Sequence, residues 1–310
     1  EKIGGIGGIG VLLVTGITGH TGRYFLQEMI DHGYQEPVRC TVRESSDTKA
    51  LDVSGLAIEK AVGDLNDRDF IDRIMPGVDT VLHIYNIHHS PDIVESAIRN
   101  QVKRVILVHT TGIFSRFKKA SQEYIEIEEQ IRKMAEDPDC KTGVTILRPT
   151  MIYGDLCDHN ISRFIKFTDK LKIVPIINSG NSLIQPVNAR DLGKAYYRVL
   201  VSPAETSGKA YTLSGDRPIK MIDMYKTIAA ALNKKVVFLP VPLFLGVLPA
   251  TVLKAVTLGK IDYIERVQRM GEDRSYPHDE AAKDFGYDPM PFETGIRIET
   301  QQYLGDRAAS

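Results

Sequence analysis

The sequence predicts an α/β protein: a doubly wound parallel sheet followed by a smaller α/β region that holds substrate. Short apolar runs rich in β-branched residues recur along the first half, separated by stretches with helical periodicity. The first of these runs breaks into Gly16-x-x-Gly19-x-x-Gly22 and then into helix-forming sequence. Beyond Pro149 the rhythm loosens, which marks the change from the sheet to the second region.

Taken in order, residues 11–14 read as a strand and residues 22–32 as a helix. Strands follow at 38–42 and 57–62, then a helix near 67–75. A strand at 80–84 leads into a helix at 91–100, and a strand at 105–108 into a long helix at 118–135. A strand at 144–147 closes the series. Later come strands near 173–177 and 211–213 and helices near 191–200 and 221–232. The expected division is a flexible leader over 1–8, a nucleotide-binding unit over 9–150 and a partly interleaved substrate region over 151–310. Ligand is then expected at the carboxyl ends of the strands.

The turn after the first strand carries the chemistry. Gly16 lets the chain leave the strand with positive φ, and Gly19 lets backbone N–H groups approach phosphate oxygens. Gly22 allows the helix to pack close to the sheet, and its exposed amides and dipole favour a diphosphate. A second match to G-x-G-x-x-G, Gly5 to Gly10, has no strand before it and a strand after it, so it fails the context test.

Composition narrows the function classes. With 39 basic against 40 acidic residues and a net charge of −1, the chain has no bulk charge for binding nucleic acid. Cys40, Cys140 and Cys157 form no C-x-x-C pair, which argues against a zinc site and fits a reducing, cytoplasmic setting. No metal is expected. Residues 236–253 carry no charge, but Pro240, Pro242 and Pro249 interrupt them, so no integral membrane helix is expected. A buried strand followed by apolar helices covering a cleft is the expectation there, with peripheral membrane contact as the lesser reading.

Several motifs now agree. Thr15 to Gly22 resembles the TGxxGxxG turn of the extended short-chain dehydrogenase/reductase superfamily, and Gly63-Asp64-Leu65 resembles its adenine-contacting GDL element. Residues 147–154, LRPTMIYG, are similar to the LRPxxxYG segment beside the nicotinamide. Val187 and Asp191 resemble the VxxxD pattern, and Phe285-Gly286-Tyr287-Asp288-Pro289 the lGyxP element. The resemblance implies a Rossmann-type domain of the NAD-dependent epimerase/dehydratase-like kind. It assigns cofactor contacts to Gly16, Thr18, Gly19, His20, Thr21, Gly22, Arg43, Asp64, Leu65, Ile84, Tyr85, Thr110, Pro149, Thr150, Met151 and Ile152. Arg43, at the end of the second strand where NAD-preferring relatives place a carboxylate, points to NADP over NAD.

The chain departs from the superfamily at its catalytic signature. Tyr-x-x-x-Lys places an ammonium one helical turn from a phenol and lowers its pKa. Here Tyr124 is followed at the fourth position by Glu128, and the register anchored on Glu128-Glu129 puts Ala120 in the tyrosine slot. Thr110 or Thr111 stands for the usual serine, and Thr111 and Tyr124 are the candidate catalytic residues. The departure, with the short connection from Tyr85 to Asn100, resembles the atypical and NmrA-like branches. Leu183-Ile184-Gln185-Pro186 lacks the arginine that grips a substrate diphosphate in sugar-nucleotide enzymes. His88 and His89 are candidate general acids, with loop histidines as the plainer reading; Tyr85 and Tyr153 are candidate donors or packing rings.

The expected function is an NADP-dependent oxidoreductase acting on a small uncharged carbonyl compound. The alternatives are a non-catalytic NADP(H)-sensing protein and a nucleotide-sugar epimerase or dehydratase. The resemblance also implies a homodimer through residues 118–135, although Glu123, Glu126, Glu128 and Glu129 give that helix an acidic surface.

Overall fold

In the computed structural model, which describes residues 10–158, 160–242, 244 and 268–309, β1 (Val11–Thr15) lies inside a seven-stranded sheet. β2 (Val38–Val42) and β3 (Ile58–Val62) extend it on one side. On the other lie β4 (Val78–His83), β5 (Arg104–Val108), β6 (Gly143–Pro149) and β11 (Ala210–Leu213), giving the order β11-β6-β5-β4-β1-β2-β3. Every pairing in this sheet is parallel. Strands covered on both faces bury consecutive residues, which is why β1 and β5 read as unbroken apolar runs. The order reverses between β1 and β4, so the ligand crevice opens there, beyond the strand carboxyl ends.

Helices cover both faces. α1 (Gly22–Asp31) and α7 (Ala189–Val201) share one core, where Phe25, Leu26 and Met29 meet Leu192, Tyr196 and Val199. α3 (Arg68–Ile74), α4 (Ser90–Arg99) and α5 (Lys118–Ala135) cover the other face through Phe70, Ile71, Ile93, Val94 and Ile131. The short α2 (Lys49–Asp52) and α8 (Pro203–Thr206) complete the periphery. The chain after Pro149 thus returns α7 and β11 to the main body.

A third core lies between α6 (Ile161–Lys170), α9 (Met221–Ala231) and α11 (Phe292–Ala309), with Ile161, Ile165, Met224, Ile228 and Ile296 inside it. Three two-stranded ribbons frame it: β7 (Ile152–Tyr153) with β10 (Val187–Asn188), β9 (Leu183–Ile184) with β12 (Ile219–Lys220), and β8 (Ile173–Ile177) with β13 (Val237–Val241). α10 (Asp279–Phe285) ends in left-handed Gly286. A strand does open residues 236–253, as β13, but it is not the buried one expected: Val237, Leu239 and Pro240 are exposed because only its other face meets the third core. The rest of that expectation, apart from Pro242 and Phe244, lies outside the described residues, as does the leader. Among the described residues no helix is long and apolar enough to cross a membrane.

Candidate functional site

The glycine turn has the geometry of a phosphate cradle. Gly16 takes φ 78°, and a Cβ on it would stand 2.9 Å from the Tyr85 backbone. A Cβ on Gly22 would stand 2.1 Å from the Gly16 carbonyl oxygen, so a side chain there would push α1 off the turn. The Gly19 amide closes the bend onto Gly16 O at 3.0 Å. No side chain caps α1; the Arg23, Tyr24 and Phe25 amides donate to Gly19 O and Thr21 O, and the helix dipole points its positive end at the turn.

Beside this turn is a cleft of about 170 Å³ lined by Gly16, Thr18, Gly19, Arg43, Asp64, Leu65 and Tyr85, together with Thr41, Val42, Ser46 and Gly63. The structure therefore brings the turn, the second-strand arginine and the GDL element into one wall. Arg43 is held by its amide, which donates to Ser46 Oγ at 3.0 Å, while its guanidinium is exposed at the cleft. Asp64 accepts from the Asn66 amide and side chain, contacts that hold its carboxyl below the usual range.

Other residues of the predicted set play supporting parts. The His20 ring lies against Gly154 O at 2.7 Å and Asp155 Oδ1 at 2.9 Å, turned to the neighbouring loop. Asp155 also accepts from Tyr24 at 2.7 Å and pairs with Arg23 at 2.8 Å, so one carboxylate pins the start of α1 to the loop after β7. Thr21 is buried, with its carbonyl accepting the Tyr24 and Phe25 amides. Ile84 and Ile152 pack against the first core, and Thr110 caps the turn that follows it by accepting from Gly112 N. Tyr153 is wholly buried against Phe292, a packing ring.

His83 is an unforeseen element of the crevice floor. It is fully buried at the end of β4, and burial pushes its pKa down to about 3, so it is neutral. Nε2–H donates to Asn86 O at 2.8 Å and Nδ1 accepts from the Thr15 hydroxyl at 2.7 Å, tying β1 to the β4 loop beside Gly16.

A second cavity, of about 360 Å³, holds Thr111, Thr150, Met151, Asn160, Ile184, Gln185, Arg269, Met270 and Arg274. Thr111 donates to Pro149 O at 3.2 Å and Thr150 to Gln185 O at 2.5 Å. Gln185, in the stretch where the sugar-nucleotide arginine is missing, is locked by Gly215 O at 2.7 Å and the Tyr276 amide at 3.0 Å. The positive charge comes instead from Arg269 and Arg274. Their Nε atoms are buried without a hydrogen-bond partner among the described residues. Burial and the neighbouring Arg269 lower the pKa of Arg274. Glu272 lies 3.9 Å from Arg269 but is occupied by Ser115 Oγ and the Arg116 amide. Two guanidiniums with spare donors in one lining have the chemistry to hold an anion.

α5 is also built differently from the expectation. Glu128 is buried, which corrects its assignment to an acidic helix surface. Its carboxylate receives Arg148 Nε at 2.9 Å and Nη2 at 2.5 Å, and His109 Nδ1 stands at 3.1 Å. Burial alone would raise the Glu128 pKa, but these hydrogen bonds outweigh it and hold the carboxyl below its ordinary value. His109 Nε2 meets Ser90 Oγ at 3.0 Å, and burial lowers the ring's pKa. Tyr124 lies against Gly112, outside the lining of the Thr111 cavity. His88 pairs with Glu123 at 3.1 Å and His89 stacks on Tyr85, so both are engaged on the surface. Among the described residues no cluster could hold a metal.

Residues 16–164, the span that contains the cradle, match the NAD(P)H-binding family. They form an NAD(P)H-binding domain. The left-handed Gly16, the filled space at Gly22 and the uncapped α1 fit that cofactor's diphosphate. No curated protein matches the chain in sequence. Among solved structures, the chain resembles gox2253 with TM-score 0.77 and 17% identity, over 96% of this chain and 98% of that one. It resembles dTDP-glucose 4,6-dehydratase DesIV of Streptomyces venezuelae, solved with NAD bound, with TM-score 0.73 and 16% identity over 96% and 98%. It also resembles UDP-glucose 4-epimerase of Thermotoga maritima, solved with UDP-glucose, with TM-score 0.70 and 15% identity over 96% and 99%. At these identities the chain shares its fold with these proteins, and the likeness goes no further.

Proposed function

We propose that the protein is an NADP-dependent oxidoreductase of the atypical extended type, acting on a carbonyl compound that carries an anionic group. The observation that carries this reading is the placement of Arg269 and Arg274 in the cavity lined by Thr111 and Thr150. NADP supplies hydride transfer when bound. Arg43 at the adenosine end supports the choice of NADP, because a guanidinium forks onto a 2′-phosphate. Arg269 and Arg274 hold the anionic group, and Thr111 turns its hydroxyl hydrogen from Pro149 O to the reacting oxygen. With Tyr124 outside the lining and Glu128 committed to Arg148, the proton comes from water.

Incubation with NADPH and a panel of neutral ketones, keto acids, sugar phosphates and nucleotide sugars tests this, by following NADPH absorbance. Turnover confined to anionic carbonyl compounds, with KM raised in Arg274→Ala, is the expected result. Turnover of neutral ketones alone would contradict it. A nucleotide-sugar epimerase or dehydratase is the second reading, favoured by the same arginine pair and by the substrates of the structural neighbours. Supplied with the oxidised cofactor instead, it would convert the nucleotide sugar with no net change in NADPH absorbance. Tight NADPH binding with no product would leave the non-catalytic sensor.

A further inference from the structure

We propose that the outer face of the β8–β13 ribbon docks the protein on an anionic lipid surface. The two strands pair in parallel, with Val237 opposite Ile173 and Leu239 opposite Pro175. Alternation sends Val174 and Ile176 into the third core and turns Ile173, Pro175, Val237 and Leu239 outward. Ile173, Val237 and Leu239 are 59%, 63% and 53% exposed. Phe167 and Leu171, one turn apart at the end of α6, are exposed just before β8. A half-buried ribbon ordinarily sets polar side chains on its wet face; this one sets apolar residues there.

Charge selects the occupant. Because the strands are parallel, their entries lie at one end of the ribbon, and the Val237 amide donates to Lys172 O at 2.9 Å. Lys170 and Lys172 precede β8, Lys234 and Lys235 precede β13, and all four are exposed. Lys234 pairs with Asp169 at 3.0 Å, while Lys170, Lys172 and Lys235 have no acidic partner among the described residues. The outward face carries no carboxylate to receive the lysine rim of a second copy. An anionic bilayer takes both features at once, the apolar face at the acyl boundary and the lysines at the headgroups.

The test is sedimentation of the full chain with phosphatidylcholine vesicles and with vesicles containing phosphatidylserine, at low and high salt. Binding is expected to the anionic vesicles, to weaken with salt, and to be slight on phosphatidylcholine alone. The triple variant Lys170→Glu, Lys172→Glu, Lys235→Glu should lower partitioning by roughly a hundredfold. Val237→Ser with Leu239→Ser should lower it as well, and unchanged NADPH affinity in both variants shows that they are folded. Absence of binding to anionic vesicles at low salt, or full binding by the lysine variant, would overturn the proposal. So would lipid-free dimerisation abolished by the serine variant, since the face would then belong to a second copy.

Discussion

Glu128 stands four residues after Tyr124, and its carboxylate is held by Arg148 through two hydrogen bonds of 2.9 and 2.5 Å. The slot that holds an ammonium in a Tyr-x-x-x-Lys pair is here one end of a buried ion pair closed by His109. The pair spans α5 and β6, so its first consequence is stability. Breaking one partner of a buried ion pair costs about 3–5 kcal/mol. Glu128→Lys, which puts an ammonium four residues after Tyr124, should lose that amount in urea unfolding and should not create a Tyr-Lys relay, since Arg148 already occupies the space. Wild-type stability in Glu128→Lys would contradict the geometry.

The same pair sets an acid limit. Glu128 has a lowered pKa in the folded chain, so it contributes stability above the unfolded value of about 4.3, and that contribution is lost as pH falls below it. Unfolding of Glu128→Gln should therefore depend less on pH below about 4 than that of the wild type.

His83 acts at higher pH. Its folded pKa of about 3 lies below the unfolded value of about 6.5, so between those values the unfolded chain binds the extra proton. Stability should rise with pH across that window, by up to about 1.4 kcal/mol per unit from this residue alone. His83→Asn should flatten the slope in a urea series. An unchanged slope would show that the ring protonates in place.

Gly16→Ala and Gly22→Ala test the cradle. A methyl at Gly16 meets the Tyr85 backbone at a positive φ, and one at Gly22 meets the Gly16 carbonyl. Strain of this kind costs about 1–3 kcal/mol, so each should weaken NADPH by roughly tenfold or more in a fluorescence titration. Wild-type affinity in both would remove the turn from the cofactor site.

Much of this was legible in the sequence. Buried parallel strands leave continuous apolar runs, so residues 11–14 and 105–108 announced β1 and β5. Gly16, Arg43 and Asp64 were legible because each sits at a strand end, and a parallel sheet gathers those ends. The His109–Glu128–Arg148 cluster was not, because its members meet only through the β5–β6 register that sets Val108 beside Leu147. Arg269 and Arg274 were hidden for a similar reason: a bridge between Ile184 and Arg274 brings a distant segment to the cavity. α6 went unread because Ile161, Ile165 and Thr168 form a narrow stripe among basic and aromatic residues.

Arg43 decides the cofactor. Arg43→Ala should weaken NADPH by roughly 10- to 100-fold, the worth of hydrogen bonds to a charged group, and leave NADH nearly unchanged. Equal losses for both cofactors would assign Arg43 to the loop alone.

The most direct measurement is a crystal structure of the complex with NADP. The diphosphate should lie on the backbone amides between Gly16 and Gly22, the 2′-phosphate against Arg43, and the nicotinamide at the cavity of Thr111 and Thr150. A cofactor bound away from the glycine bend, or a nicotinamide directed away from that cavity, would contradict the assignment of the site.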